Sequence, residues 1–348
     1  MKRILFVANG ESIHTAKWVD YFVERGYDVH LATFSRAHAT ACKNVHFLSG
    51  RGVNRRGGNF HYLLGVPKLA ALIRALRPDA VNAHYSYSLG LVARLAIRRS
   101  GTAPFFSVVC HGSDVLAPPA PPVFDRLNRF VLRGADRCFS VSDQITDRLV
   151  SLGVPPEKIV TGQYGVEPPP EPEAKTVDFV STRAWHPNSR IPLLLEALEA
   201  FPGRRSVFVL PGADDTVLAS LRKRHPAVTF HGALPHAEVM QLLRRSRFYL
   251  SATRSDGTAL SLLEAMACGC VPVVSNIVSN RSWVLDGVNG FLFRHGSQLR
   301  EILERTAGTD DARLEKMRQV NRDIVRERAD YRRRMAQTEA EIFAQEKK

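Results

Sequence analysis

The chain has 348 residues, 45% of them hydrophobic and 24% charged. That is ordinary globular composition, with length for two domains of about 150 residues each. No apolar run approaches the ~18 residues needed to cross a bilayer. The opening apolar stretch stops at Asn9-Gly10-Glu11, too short for a secretory h-region, so it is read as a first buried strand and the protein is expected in the cytoplasm. Cys42, Cys110, Cys138, Cys268 and Cys270 are scattered and lack a CxxC pair, which argues against a disulfide framework and a zinc site. The net charge is +14. Residues 1–165 hold 21 Lys/Arg against 11 Asp/Glu, and the remainder 27 against 23. Excess basicity in the first half suits a phosphorylated substrate or an anionic membrane surface. Nucleic acid is not expected, because no nucleic-acid module accompanies the charge.

In chain order, residues 4–8 read as a strand and 13–25 as a helix stopping at Gly26, followed by strands at 29–33 and 45–48. Leu69, Leu72, Ile73 and Leu76 mark one face of a helix beginning near Pro67. Further buried strands fall at 80–83, 105–109 and 138–141 with helices between them. Near-continuous apolar strands alternating with helices predict a parallel sheet covered on both faces. The run Val-Glu-Pro-Pro-Pro-Glu-Pro at 166–172 predicts a stiff connector. Beyond it the alternation resumes, with strands at 177–181, 206–210, 228–230, 248–250 and 271–274. Helices are expected at 191–200, 215–224, 236–245 and 260–268, and one or two terminal helices over 312–344. The expected division is residues 1–166, a linker at 167–172, residues 173–310, and terminal helices over 311–348 packing back toward the first domain. Both domains are doubly wound, Rossmann-like α/β units, and ligands of such sheets sit at the strand ends.

The segment from Ser255 to Pro272 is chemically the most informative. A polar loop containing Gly257 follows a strand and runs into a helix. The backbone N–H groups of Gly257, Thr258, Ala259 and Leu260 would lie at that helix N-terminus, an anion site suited to a diphosphate. Glu264, about two turns on, could accept the vicinal hydroxyls of a ribose. Asp256, ahead of the helix, could hold hydroxyls of a sugar. From the residues alone, a solvated Glu264 and an acid near an N-cap remain alternatives.

This segment resembles the signature of retaining glycosyltransferase family four, of the GT-B fold. There, two acidic residues eight positions apart precede an Ala-Met-Ala-x-Gly-x-Pro-Val run. Here they are Asp256 and Glu264, followed by Ala265-Met266-Ala267-Cys268-Gly269-Cys270-Val271-Pro272-Val273. The family usually has Glu at the first position, so Asp256 keeps the charge and shortens the reach by one methylene. The resemblance covers essentially the whole chain. It implies two Rossmann-like domains facing a deep cleft, the first binding an acceptor and the second a nucleotide sugar.

Residue by residue, the resemblance implies donor contacts at Gly10 and Ser12, in the first strand–loop–helix. It implies a histidine loop at His111-Gly112-Ser113-Asp114 that meets the transferred sugar. Arg183 matches a cation gripping the donor diphosphate; Arg190 stands where the family has Lys. Two such cations stabilise a leaving diphosphate without a metal. Pro211 and Gly212 end a strand at the donor side, and Gly232 and Leu234 lie in the loop that reads the nucleobase. His14, His84 and Tyr85 are expected on the acceptor side. GxGxxG and P-loop motifs are absent, which argues against a dehydrogenase or NTPase.

The expected reaction is transfer of a sugar from a nucleotide-diphosphate sugar, UDP- or GDP-linked, to a hydroxyl acceptor with retention of configuration. No cofactor and no metal are expected. A saccharide or glycolipid of cell-surface assembly is the expected acceptor. Arg51, Arg55, Arg56, Lys68, Arg74 and Arg77 around the amphipathic helix suggest peripheral contact with anionic lipid at the inner face of the membrane. A catalytically silent sugar-nucleotide-binding subunit, and an epimerase or hydrolase on the same fold, are the alternatives.

Overall fold

The structure, a computed structural model, describes residues 1–36, 39–49, 60–116, 121–169 and 173–343. It falls into two compact units. Met1–Gly162 and the chain from Arg333 form the first, and Gln163–Arg332 the second.

The first unit contains β1 (Arg3–Val7), α1 (Ile13–Glu24), β2 (Asp28–Thr33), β3 (Asn44–Phe47), α2 (Val66–Leu76) and β4 (Ala80–His84). It continues with α3 (Leu91–Ser100), β5 (Phe105–Cys110), α4 (Pro121–Arg133), β6 (Arg137–Ser140), α5 (Asp143–Ser151) and β7 (Ile159–Thr161). The seven strands run parallel in the order β3-β2-β1-β4-β5-β6-β7. With helices on both faces, the central strands must be apolar throughout. Ile4, Leu5, Phe6 and Val7 are accordingly all fully buried.

The second unit contains β8 (Val177–Ser181), α6 (Ile191–Leu198), β9 (Ser206–Val209), α7 (Asp215–Arg224), β10 (Val228–His231), α8 (His236–Arg244) and β11 (Ser246–Ser251). After these come α9 (Leu260–Ala267), β12 (Val271–Ser275), α10 (Val278–Arg281), β13 (Phe291–Phe293), α11 (Gly296–Ala307) and α12 (Asp311–Arg328). Its strands are parallel in the order β10-β9-β8-β11-β12-β13. One face of the sheet is covered by a core including Phe179, Leu194, Phe208 and Ile302. The other is covered by one including Tyr249, Leu262, Met266 and Trp283. Each such side chain contributes roughly 1.5–3 kcal/mol on burial.

The last helix, α13 (Tyr331–Phe343), begins in the second unit and ends in the first. Within the first unit Glu339 accepts hydrogen bonds from the hydroxyls of Tyr21 (2.7 Å) and Tyr27 (2.6 Å). Phe343 stacks on Tyr27 with ring centroids 5.0 Å apart.

The structure departs from the sequence reading in several places. Helices α10 and α11 were not expected, and α12, expected to pack back toward the first domain, belongs to the second unit, so that only the chain from Arg333 returns to the first. Two strands, β7 and β13, were not expected; each has three residues at a sheet edge, too short to show a period. The chain passes between units at Gly162–Gln163, upstream of the prolines. Val166 is already tied into the second unit, its N–H donating to Ala329 O (2.9 Å) and its carbonyl accepting from Tyr331 N (3.1 Å). Pro170–Pro172 lie outside the described residues, as do Arg51, Arg55 and Arg56. Finally, the apolar face of α2 offered to lipid is sealed inside the unit at Leu69, Ala70 and Ile73.

In both sheets the strand order reverses beside the first strand, between β1 and β4 and between β8 and β11. Open α/β sheets bind ligands at the carboxyl ends of the strands flanking such a reversal.

Candidate active site

In the second unit the loops after β8 and β11 meet at this reversal. Arg183, just beyond β8, places Nη2 2.8 Å from Asp256 Oδ2 and Nη1 3.2 Å from Ser261 Oγ. Its Nε is buried without a partner. Ser261 also accepts from the hydroxyl of fully buried Tyr249 (2.8 Å). Burial disfavours the charge on Arg183, but Tyr249 and Asp256 outweigh it and hold its pKa above the usual value. The guanidinium therefore stays charged beside the N-terminus of α9.

That helix begins after Ala259, which supplies no side-chain cap, so the first-turn N–H groups and the positive end of the dipole are not neutralised by a side-chain cap. Asp256 through Leu260 form the loop entering it. Gly257 and Ala259 are buried while Thr258 is half-buried. Glu264 is 9% exposed, which rules out the solvated-residue alternative. Its Oε1 lies 2.9 Å from Nε2 of His236, the first residue of α8.

Arg190 sits between a short 3-10 turn and α6 with φ +47°, an uncommon left-handed conformation for a residue with a side chain. Its Nε donates to the Ala252 carbonyl at the end of β11. Asn188 in the same turn donates to Ser255 O (2.9 Å) and accepts from Ser255 N (3.2 Å). The turn thus clamps the loop that carries Asp256. Pro211 and Gly212 follow β9, where Pro211 O accepts from Trp185 N (2.9 Å) and Gly212 adopts φ +89°. Gly232 and Leu234 lie in the loop from β10 to α8, leading to His236.

In the first unit, Gly10 and Ser12 connect β1 to α1. Gly10 N donates to Thr33 Oγ1 (3.0 Å), and Ser12 precedes α1 without a side-chain cap. His111 follows β5. Its backbone N–H and that of Gly112 donate to Asp114 Oδ1 (3.2 and 3.0 Å), and Ser86 N donates to Oδ2 (2.8 Å). Asp114 is 2% exposed, and burial raises its pKa despite these bonds.

The His111 ring is flanked by His14 and Tyr85, with centroids at 5.6 and 4.7 Å, and its Nε2 lies 3.2 Å from His84 Nδ1. Burial, with the neighbouring imidazoles, holds the pKa of His111 well below the usual value; burial lowers that of His84 to about 3. Both rings are neutral at physiological pH. Tyr85 has φ +69°, a strained position that favours a functional constraint; burial and then Asp114 push its hydroxyl up to about 12.

The structure therefore brings Arg183, Asp256, Leu260 and Glu264 to one end of the second sheet, with Arg190 buttressing their loop. Gly10, His14, Tyr85 and His111 gather at the corresponding end of the first. His84 is the correction: its side chain is completely buried, so it is not open to a ligand, and its Nδ1 faces His111 Nε2 instead. Sequence reading missed Asp114, Asn188, His236, Tyr249 and Ser261 as supports. Asp114 and Ser261 lay inside motifs already singled out, but their bonds to a backbone turn or a distant arginine have no sequence signature.

Two parallel-sheet Rossmann-like domains with polar groups at both sheet reversals define the GT-B architecture. Residues 3–142 match the family described as Glycosyl transferase 4-like, and residues 174–307 match Glycosyl transferases group 1. The chain belongs to the GT-B glycosyltransferases of this family-four type. Among solved structures it is similar to Anabaena HepE in complex with UDP-glucose, at 16% identity and a TM-score of 0.77 over 98% of this chain and 100% of that one. It is likewise similar to sucrose-phosphate synthase from Thermosynechococcus elongatus, at 14% identity and a TM-score of 0.77 over 97% and 98% of the two chains. A curated relative is the GtfA subunit of UDP-N-acetylglucosamine–peptide N-acetylglucosaminyltransferase from Streptococcus pneumoniae serotype 4. It is 32% identical over 88 residues, 25% of this chain and 17% of that protein.

Proposed function

We propose that the chain transfers a hexosyl group from a UDP- or GDP-sugar to a hydroxyl of a saccharide or glycolipid, with retention of configuration, in cell-surface polysaccharide or glycolipid assembly. The observation that carries this reading is the placement of Arg183 and Asp256 beside the uncapped start of α9, with buried Glu264 farther along the same helix. The donor diphosphate lies against Arg183, Arg190 and the α9 N-terminus. Glu264 takes the ribose hydroxyls, oriented by His236. Asp256 and neutral His111 hold hydroxyls of the sugar. Pro211, Gly212, Gly232 and Leu234 border the nucleoside; Gly10 and Ser12 approach the phosphates.

As the anomeric C–O bond to phosphate breaks, its electron pair leaves with the nucleoside diphosphate, where fixed cations and backbone dipoles offset the growing charge. The acceptor oxygen bonds to the anomeric carbon from the same face, and its proton passes to the departing phosphate oxygen. The cationic groups supply the charge stabilisation a metal gives elsewhere, so neither metal nor cofactor is required. The uridine nucleotides of HepE support a UDP donor.

No helix among the described residues is long and apolar enough to cross a membrane. Peripheral attachment at the cytoplasmic face is part of the proposal. It rests on exposed Leu63 and Leu64 (42% and 68%) just ahead of α2 and on exposed Lys68, Arg74 and Arg77. Co-sedimentation with anionic vesicles at low salt tests it, and absence of binding overturns it.

The central test is calorimetric titration with UDP and GDP, followed by NMR of the product anomer. Binding of one nucleotide that falls at least tenfold in Glu264→Ala, with a retained anomer, is expected. Undiminished binding by Glu264→Ala overturns the site, and an inverted anomer overturns the mechanism.

A further inference from the structure

The hydrogen bond between His84 Nδ1 and His111 Nε2 (3.2 Å) joins two neutral imidazoles, so one nitrogen must donate and the other accept. The surroundings of His84 decide which. Its ring is fully buried and edge-on to Trp18 and Phe6, with centroids 5.3 and 6.4 Å away. Its Nε2 is buried with no hydrogen-bond partner.

A neutral imidazole carries one N–H. On Nε2 of His84 that proton would be an orphaned buried donor, the rarer and costlier outcome. On Nδ1 it is used by His111, leaving only a bare lone pair at Nε2. His111 Nε2 then accepts, and the single proton of His111 must sit on Nδ1. That nitrogen has no hydrogen-bond partner among the described residues.

We infer that His84 is a positioning residue that locks His111 in the Nδ1–H tautomer. His111 is thereby a hydrogen-bond donor to an oxygen of the transferred sugar or its phosphate and has no lone pair left to act as a base. Asp114 fixes the other coordinate, holding the backbone N–H groups of His111 and Gly112 and so the point from which the ring projects. The tautomer follows from the pair and the buried, unpartnered Nε2 of His84, whereas the role of His111 toward sugar rests on the function proposed above.

The test is a long-range proton–nitrogen correlation spectrum of the full chain labelled with 15N-histidine, assigned with His84→Asn and His111→Asn. A protonated Nδ1 and bare Nε2 on His111 are expected; the reverse pattern overturns the inference. In transfer assays His84→Asn, whose amide nitrogen substitutes for Nδ1–H, should stay within about threefold of the parent kcat. His84→Leu should lose about tenfold in kcat with little change in KM, the equivalent of one neutral hydrogen bond. Equal losses in both variants would overturn a positioning role. Unchanged transfer by His111→Asn would instead overturn the reading of His111 as a sugar contact, leaving the spectrum to decide the tautomer. The unsubstituted spectrum decides it even where a variant fails to fold.

Discussion

Arg183 Nη2 lies 2.8 Å from Asp256 Oδ2 while Nη1 reaches Ser261 Oγ at 3.2 Å, so one guanidinium ties the end of β8 to the loop and first turn of α9. A planar guanidinium fork holds both contacts in one fixed geometry through separate nitrogens, which a single ammonium nitrogen does not reproduce. Arg183→Ala is expected to lower kcat by about 10²–10³-fold, the loss typical of removing one transition-state charge stabiliser. Arg183→Lys should restore part of that and leave donor affinity closer to the parent. Steady-state transfer rates with saturating donor check it. Equal rates in Arg183→Ala and the parent would remove Arg183 from the chemistry.

The short side chain of Asp256 sets where the first signature carboxylate lies. At this reach its carboxylate sits on Arg183, with side-chain exposures of 16% for Arg183 and 21% for Asp256. Asp256→Glu pushes the carboxylate one methylene farther and should shift donor preference more than overall rate. A panel of UDP-hexoses assayed for kcat/KM is expected to show a changed order among sugars with a change in the best rate below about tenfold, since one displaced hydrogen bond is worth about 1 kcal/mol.

The buried histidine pair predicts an acid-sensitive fold. The folded-state pKa of His84 is lowered from 6.5 to about 3, and that of His111 also lies well below 6.5. The unfolded chain therefore binds protons first as pH falls. Stability from these rings is complete above 6.5 and is lost progressively from 6.5 down toward 3. Asp114 acts with the opposite sign, its folded pKa being raised above 3.8. Urea midpoints at pH 7.5 and 5 should show a clear drop in the parent and a smaller drop in His84→Asn. Identical drops would show that His84 is not the group titrating.

Much of this architecture was legible in the sequence because parallel strands buried on both faces leave unbroken apolar runs. Ile4–Val7 and Val271–Val274 could hardly have been anything else, and the acidic pair eight residues apart fixed the α9 loop. What escaped has a physical reason. β7 and β13 take their pairing from neighbours rather than from any period of their own. The prolines at 168–172 drew the expected boundary to themselves, but the boundary is set by Val166 bonding to Ala329 and Tyr331, more than 160 residues away. His84 carried the right residue type for a site, yet only the fold reveals that Trp18 and Phe6 cover it.

Gly165 stands at that same junction with φ +88°, and a Cβ there would lie 2.3 Å from the Ala329 carbonyl oxygen. Gly165→Ala combines left-handed strain with a backbone clash, and a cost of at least about 2 kcal/mol is expected. Gly287, with φ +73° and open space around its Cβ position, isolates the strain; Gly287→Ala should cost only about 1 kcal/mol. Chemical unfolding of the two variants separates the effects. Equal losses would mean that the segment at Ala329 yields freely.

The C-terminal helix offers the last test. Glu339 accepts from two tyrosine hydroxyls and forms an ion pair with Arg25 (3.3 Å). Burial, followed by the bond to Glu339, pushes the Tyr21 hydroxyl up to about 12, so both tyrosines remain donors throughout the working range of pH. Glu339→Ala leaves two half-buried hydroxyls without their acceptor and should destabilise the docked helix by about 1–3 kcal/mol. Glu339→Gln keeps one acceptor oxygen and should recover part of this. Hydrogen exchange over residues 333–343 reads the effect directly, because these amides are protected only while the helix stays folded on the first unit. Exchange in Glu339→Ala should rise by roughly ten- to hundredfold, matching that free energy. An unchanged rate would place the anchor in the Phe343–Tyr27 stack instead.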